Sequence, residues 1–134
     1  MTATVKTCPQ SNQQKSNMHI ITHTINNIKI AEVISEDILI HRAEDGLELL
    51  ANLYYQNFDK IILHEKNITP DFFDLKNGLA GELLQKFSNY RIPLALVGDF
   101  TKYKSKSLVD FIHESNKGQH ICFTATRSEA LAAL

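Results

Sequence analysis

The sequence predicts an α/β domain: a single mixed β-sheet of about five strands with helices packed on it. A strand–helix–strand unit at residues 58–100 is the first observation behind this. Phe58-Asp-Lys-Ile-Ile-Leu-His-Glu65 and Arg91-Ile-Pro-Leu-Ala-Leu-Val-Gly-Asp-Phe100 are short apolar runs, the pattern of buried parallel strands. Between them Leu79, Leu83, Leu84 and Phe87 recur at three- and four-residue intervals, as on one helix face. Parallel strands joined this way form a right-handed crossover. A hairpin precedes this unit, and a further helix, strand and helix follow it. Such alternation is the pattern of an α/β sheet.

Taken in order, residues 1–17 are rich in Gln, Asn, Thr, Ser and Lys and offer little to bury. They are expected to form a flexible N-terminal tail, with residues 18–134 as one α/β domain. Residues 20–24 and 28–34 read as strands around Asn26-Asn27, whose tolerance of positive φ suits a tight hairpin turn. His19, Ile21, His23 and Ile25 share one face of the first strand. The two histidines are expected at a solvated or edge position, since no further metal ligands converge on them.

Ile38-Leu39-Ile40 reads as extended, an optional third strand. A helix at residues 43–56 follows, with Leu47, Leu50, Leu53 and Tyr54 as its predicted buried stripe and Glu44 and Asp45 complementing its dipole. Thr69-Pro70 is a helix start, because Thr caps and Pro fits the first helical position. Gly78 and Gly81 are expected to permit a turn between a short helix and a longer one, with close helix–sheet packing. Pro93 must open its strand or direct its missing N–H away from the ladder. Ser105 or Ser107 opens a helix through Leu108, Val109, Phe111 and Ile112. It leaves at Asn116-Lys117-Gly118, with Gly118 expected in the left-handed conformation. Residues 120–124 form the last strand, and 128–134 a short helix burying Ala130, Leu131 and Leu134.

Composition bounds the function. The 134 residues carry a net charge of −1, against the basic excess of nucleic-acid or anionic-membrane binders. Only Lys102, Lys104 and Lys106 form a basic cluster. Cys8 in the polar tail and Cys122 in a strand do not make a disulfide framework, and no apolar run approaches about 18 residues. Residues 1–17 contain no signal-peptide core. A reducing, cytoplasmic setting is the expectation.

Sites in open α/β sheets lie beyond the carboxyl ends of the strands. That rule selects His64, Glu65, Asp71 and Asp74, then Asp99, Thr101 and Lys102. His64, Glu65, Asp74 and Asp99 form the candidate ligand or hydrolytic site. Against it, His64 and Glu65 are adjacent on an extended chain and point to opposite sides. Asp71 and Asp74 also suit plain helix-capping roles. No phosphate loop or nucleophile elbow is present, and neither cofactor nor metal is implied. Phe72 and Phe73 diverge by about 100° if helical, so that one is buried and the other projects toward a partner; in a looser turn both are buried.

Four stretches are distinctive: Asp71-Phe-Phe-Asp-Leu-Lys-Asn-Gly-Leu-Ala-Gly-Glu-Leu-Leu-Gln-Lys-Phe-Ser-Asn-Tyr90, Leu94-Ala-Leu-Val-Gly-Asp-Phe100, Asp110-Phe-Ile-His-Glu-Ser-Asn-Lys-Gly118 and Glu129-Ala-Leu131. Together they closely resemble a bacterial family of domains of unknown function, numbered 4180. The resemblance spans residues 18–134 and implies a stand-alone bacterial domain without an assigned activity. The layout is also similar to STAS domains (sulfate transporter and anti-sigma-factor antagonist), which implies the element order β-β-(β)-α-β-α-β-α-β-α. Where that family has an Asp-Ser-Ser-Gly-Leu loop, this chain has Asp74-Leu75-Lys76-Asn77-Gly78-Leu79, with Asn77 in place of the phosphorylatable serine.

The STAS-like layout implies a non-enzymatic cytoplasmic regulatory module that binds a protein partner or a second copy of itself. Its candidate partner-binding residues are Asp71, Phe72, Phe73, Asp74, Asn77, Gly78, Asp99, Phe100 and Tyr103, on two loops expected side by side. Membrane and nucleic-acid partners are not expected.

Overall fold

The computed structural model describes residues 18–118 and 120–134. The expectations for the tail and Cys8 lie outside the described residues. A five-stranded sheet runs in the order β1-β2-β3-β4-β5. β1 (His19–Ile25) is antiparallel to β2 (Ile28–Ile34). β3 (Lys60–His64), β4 (Leu94–Val97) and β5 (Ile121–Thr124) follow β2 in parallel. Hairpin and parallel strands share one mixed sheet, as the sequence predicts. Asn26 and Asn27 take φ of 52° and 70°, the positive values that let a two-residue turn match the strand twist.

The helices are α1 (Ala43–Tyr55), α2 (Leu79–Tyr90), α3 (Lys106–Lys117) and α4 (Arg127–Ala133). Strand order explains their placement. Each crossover from β2 to β5 steps to the next strand in the same direction, so right-handed connections put α1, α2 and α3 on one face. There Ala31, Val33, Ile61, Leu63, Leu94, Leu96 and Phe123 meet Leu50, Leu53, Leu83, Phe87 and Leu108 in the main core. The opposite face carries Ile30, Ile62, Ala95 and Val97, against which α4 packs Ala130, Leu131 and Leu134. Strands buried on both faces must be apolar throughout, which is why β3 and β4 read as unbroken runs.

Several expectations change. On α1 the buried residues are Ala43, Gly46, Leu49, Leu50 and Leu53, while Tyr54 is exposed and Leu47 half-buried. The helix is rolled so that Gly46 faces α2: a Cβ there would lie 2.0 Å from Leu83 Cδ1. Close glycine packing occurs at this helix–helix crossing and not at Gly81, which has open space around it. Gly78 does make the expected turn, at φ 81°. Ile38-Leu39-Ile40 contributes one isolated parallel bridge, Ile40 to Ile68, and no strand. Gly118 is extended (φ −87°, ψ −171°), not left-handed. Ser105 caps α3 by accepting Leu108 N–H. Of that helix's apolar residues only Leu108 is buried, and Val109 is exposed.

Candidate functional site

The carboxyl ends of β3, β4 and β5 form a rim. Thr69 and Pro70 start a short 3₁₀ helix (Pro70–Phe73), and Asp74 caps the next turn by accepting Lys76 N–H. Asn77 lies just before Gly78, the N-cap of α2, its Oδ1 accepting Leu79 N–H at 2.9 Å while its Nδ2 donates to the Asp71 carbonyl. Asp99 accepts Thr101 N–H at 3.1 Å and the Thr101 hydroxyl, which with the charge of nearby Lys102 lowers its pKa. These carboxylates and the amide shape turns.

The two loops do lie side by side. Phe73 stacks on Tyr103 with ring centroids 4.7 Å apart and touches Phe100, which meets Phe123 edge-on. Phe72 and Phe73 are both buried, so neither projects from the surface. The 3₁₀ turn explains it: both rings close the core beneath the loop, in edge-to-face contact at 5.0 Å. Phe100 and Tyr103 stay half-buried.

Tyr103 donates its hydroxyl to Glu65, and Lys102 pairs with the same carboxylate at 2.7 Å. Burial, then the hydrogen bond and charge of Glu65, push the Tyr103 pKa above the ordinary tyrosine range. Gly98 gives Glu65 its room, since a Cβ there would come within 2.6 Å of Glu65 Cβ.

Beside this clamp a hollow of about 390 Å³ opens, walled by Phe100, Tyr103, Val109, Ile112, Phe123 and Ala125. Tyr103 also lines a second hollow of similar volume, with Glu65, Lys66 and Lys102.

His64 turns the other way from Glu65, as expected of neighbours on a strand. Its Nε2 lies 2.7 Å from Glu32 Oε2. Glu32 is fully buried in the middle of β2, and its Oε1 meets His23 Nε2 at 2.9 Å and Arg127 Nε at 2.7 Å. Both histidines lie on the edge strand β1, as expected, and His19 is exposed; what the sequence did not indicate is that the His23 ring is partly buried against Glu32. Burial alone would raise the Glu32 pKa. The hydrogen bonds from His23, His64 and Arg127, with the Arg127 charge, outweigh it and lower the value.

The four residues of the candidate hydrolytic site are thus engaged separately: His64 with Glu32, Glu65 with Tyr103 and Lys102, Asp74 and Asp99 with their own turns. Cys122, half-buried on β5, has its thiol pKa pushed up by burial, which disfavours the nucleophilic thiolate. Among the described residues no cluster of three or more His, Cys, Asp or Glu is arranged to hold a metal ion. Among them, too, no helix is long and apolar enough to cross a membrane.

Sequence reasoning missed Glu32 and Arg127, and noted His23 without its partner. A signal existed for the Glu32–His23 pair. A lone carboxylate in Ile-Lys-Ile-Ala-Glu-Val-Ile needs partners if buried, and a two-residue Asn-Asn turn sets His23 opposite Ile30, diagonal to Glu32. Arg127 gave none, because its contact depends on where α4 crosses the sheet.

Fold and site define a single-sheet α/β domain with helices crowded on one face, an aromatic rim and an ion-paired opposite face. The chain belongs to the family described as domain of unknown function (DUF4180), which matches residues 25–134. Glu32, His64 and Arg127 fall inside the matched stretch and His23 before it. No curated protein and no solved structure matches the chain.

Proposed function

We propose that this chain is a non-enzymatic regulatory module, working in the cytoplasm by binding a protein partner at the β4–β5 rim. The hollow between the β4–α3 loop and α3 carries the reading. Its volume of about 390 Å³ falls in the range of binding pockets, about 300–1,000 Å³. Its walls are aromatic and aliphatic, and Val109 is 48% exposed beside it. Two of the residues first singled out, Phe100 and Tyr103, form part of that wall, while Phe72 and Phe73 support it from beneath. The polar groups near it are spent on turns: Asp99 and Thr101 bond each other.

The occupant that fits is an apolar side chain of a partner protein, because the walls are apolar and Lys102 and Lys106 beside them are already paired with Glu65 and Asp110. A Val109→Asp variant tests this, because the residue is exposed and the fold does not need it. Partners captured on the wild-type chain are purified and their affinity measured for both forms. The expected outcome is a loss of at least about tenfold, 1.4 kcal/mol, with an unchanged melting temperature. Equal affinity of the two forms, or capture of no partner by the wild type, would overturn the reading. Tyr103→Ala serves as a second anchor variant.

A further inference from the structure

The geometry points to a proton-linked oxyanion site on the opposite sheet face, made by Arg127, His23 and His64 around Glu32. Three donors converge on one carboxylate: His23 Nε2 and Arg127 Nε on Oε1, and His64 Nε2 on Oε2. One guanidinium already balances the buried charge. The two imidazoles are surplus to that balance. The carboxylate fixes each ring by holding its Nε2–H, and among the described residues neither Nδ1 has a hydrogen-bond partner. Arg127 is 50% exposed and uses only Nε here, which leaves the fork of its terminal nitrogens for a second acceptor. Both histidine side chains also reach solvent, at 20% and 24% exposure.

This chemistry selects an anion. A metal cation would have to displace the guanidinium from Oε1 and the N–H donors from both oxygens. An oxyanion instead meets the free guanidinium fork at once, and gains further donors when the rings take up protons at Nδ1. Each donor gained beside the guanidinium favours the anion, so ligand and protons bind together. The clamp reading, a network that only ties β1, β2, β3 and α4 together, leaves the outward nitrogens and the surplus imidazoles without a role. An ion network of this kind is also weak as a stabiliser, because desolvation offsets most of its attraction. The titratable groups on this face are His19 and His23 from β1, Glu32 from β2, and Lys60 and His64 from β3. Cys122 from β5 and Arg127 and Glu129 from α4 complete the set, and β4 contributes none.

Sulfate and acetate are suitable probes, since neither changes charge between pH 6 and pH 8. The full chain is titrated with each at both pH values. Imidazole ¹⁵N resonances report Nδ1 protonation, and calorimetry in two buffers counts the protons. Saturable binding at pH 6, at least about tenfold weaker at pH 8, with proton uptake and shifts confined to His23 and His64, is the expected result. Arg127→Gln should lose at least about tenfold, whereas Lys106→Gln on the far surface should lose nothing. Tighter binding of sulfate would assign a phosphoryl-type ligand, and tighter binding of acetate a carboxylate. No saturable binding of either probe at pH 6, binding without proton uptake, or full affinity in Arg127→Gln would overturn the site. Failure here leaves the partner-binding rim untouched, because the two lie on different faces.

Discussion

At Glu32 a single residue decides the character of a whole sheet face. A carboxylate at full burial is tolerated only when it is paired and hydrogen-bonded, as His23, His64 and Arg127 make it here. Removing it as Glu32→Ala leaves the partly exposed His23, His64 and Arg127 without their shared acceptor, and should cost about 1–3 kcal/mol in urea unfolding. Its pH dependence has a definite sign. The folded pKa lies below the unfolded one. The ion pairs therefore stabilise fully at neutral pH, and that stability is lost as pH falls below about 4.3 toward the lower folded value. Glu32→Gln should lack this part of the acid unfolding slope; an identical slope in both forms would refute the assignment. Tyr103 runs the opposite way. Its raised pKa means that its contribution is complete below about pH 10 and declines above it. Of the four tyrosines it should ionise last in an absorbance titration, and the last step should vanish in Tyr103→Phe. Glu65→Gln should move that step downward without restoring the ordinary value, because burial is the larger cause.

Between elements, the α1–α2 crossing depends on a hydrogen atom. Gly46 sits in the first turns of α1 with Leu83 of α2 where its side chain would be, and Leu83 is fully buried. Gly46→Ala gains about 0.5–1 kcal/mol of helix propensity but forces Leu83 off its rotamer, an overpacking cost of about 1–3 kcal/mol. The net change should be destabilising. Combined with Leu83→Ala the clash disappears, so the double mutant should be more stable than the sum of the singles predicts. Strict additivity would show that the helices separate instead. Asn67 joins two other pieces of chain. Its buried Nδ2 donates to the Ser35 and Asp37 carbonyls at 2.8 Å, and its backbone carbonyl accepts the N–H groups of Leu39 and Ile40. This clip fixes the bend at Glu36 and Asp37 and holds Leu39 and Ile40 against Asn67, so Ile38-Leu39-Ile40 is tied to a loop and not to a sheet strand.

At the scale of the molecule the asymmetry of the sheet matters most. One face carries three helices, and the other carries α4 and the ion-paired cluster. Amides of β3 and β4 should therefore exchange most slowly, as the interior strands buried on both faces. Those of α4 and β1 should open first. Arg127→Gln should speed exchange in α4 further and leave β4 unchanged. Protection of α4 equal to that of β3 would contradict this order.

Local chemistry settled the elements. The apolar runs of β3 and β4, the Asn26-Asn27 turn, the Thr69-Pro70 start and the Ser105 cap are each stated by neighbouring residues, so the α/β class and element order could be read directly. The roll of α1 could not. Leu47, Leu49, Leu50, Leu53 and Tyr54 offer more than one apolar stripe, and only the glycine contact with Leu83 picks between them. The rim was half legible: strand ends selected Asp99, and the STAS-like layout Phe100 and Tyr103, but the inward turn of both Phe72 and Phe73 needed the 3₁₀ geometry. The Glu32 cluster joins positions 23, 32, 64 and 127. A hairpin register relates the first two, because a two-residue turn fixes cross-strand partners. The other two meet Glu32 only after parallel pairing sets the register of β3 and α4 folds back over the sheet. Contacts of that separation are encoded by the packing of the whole core rather than by any local run of residues.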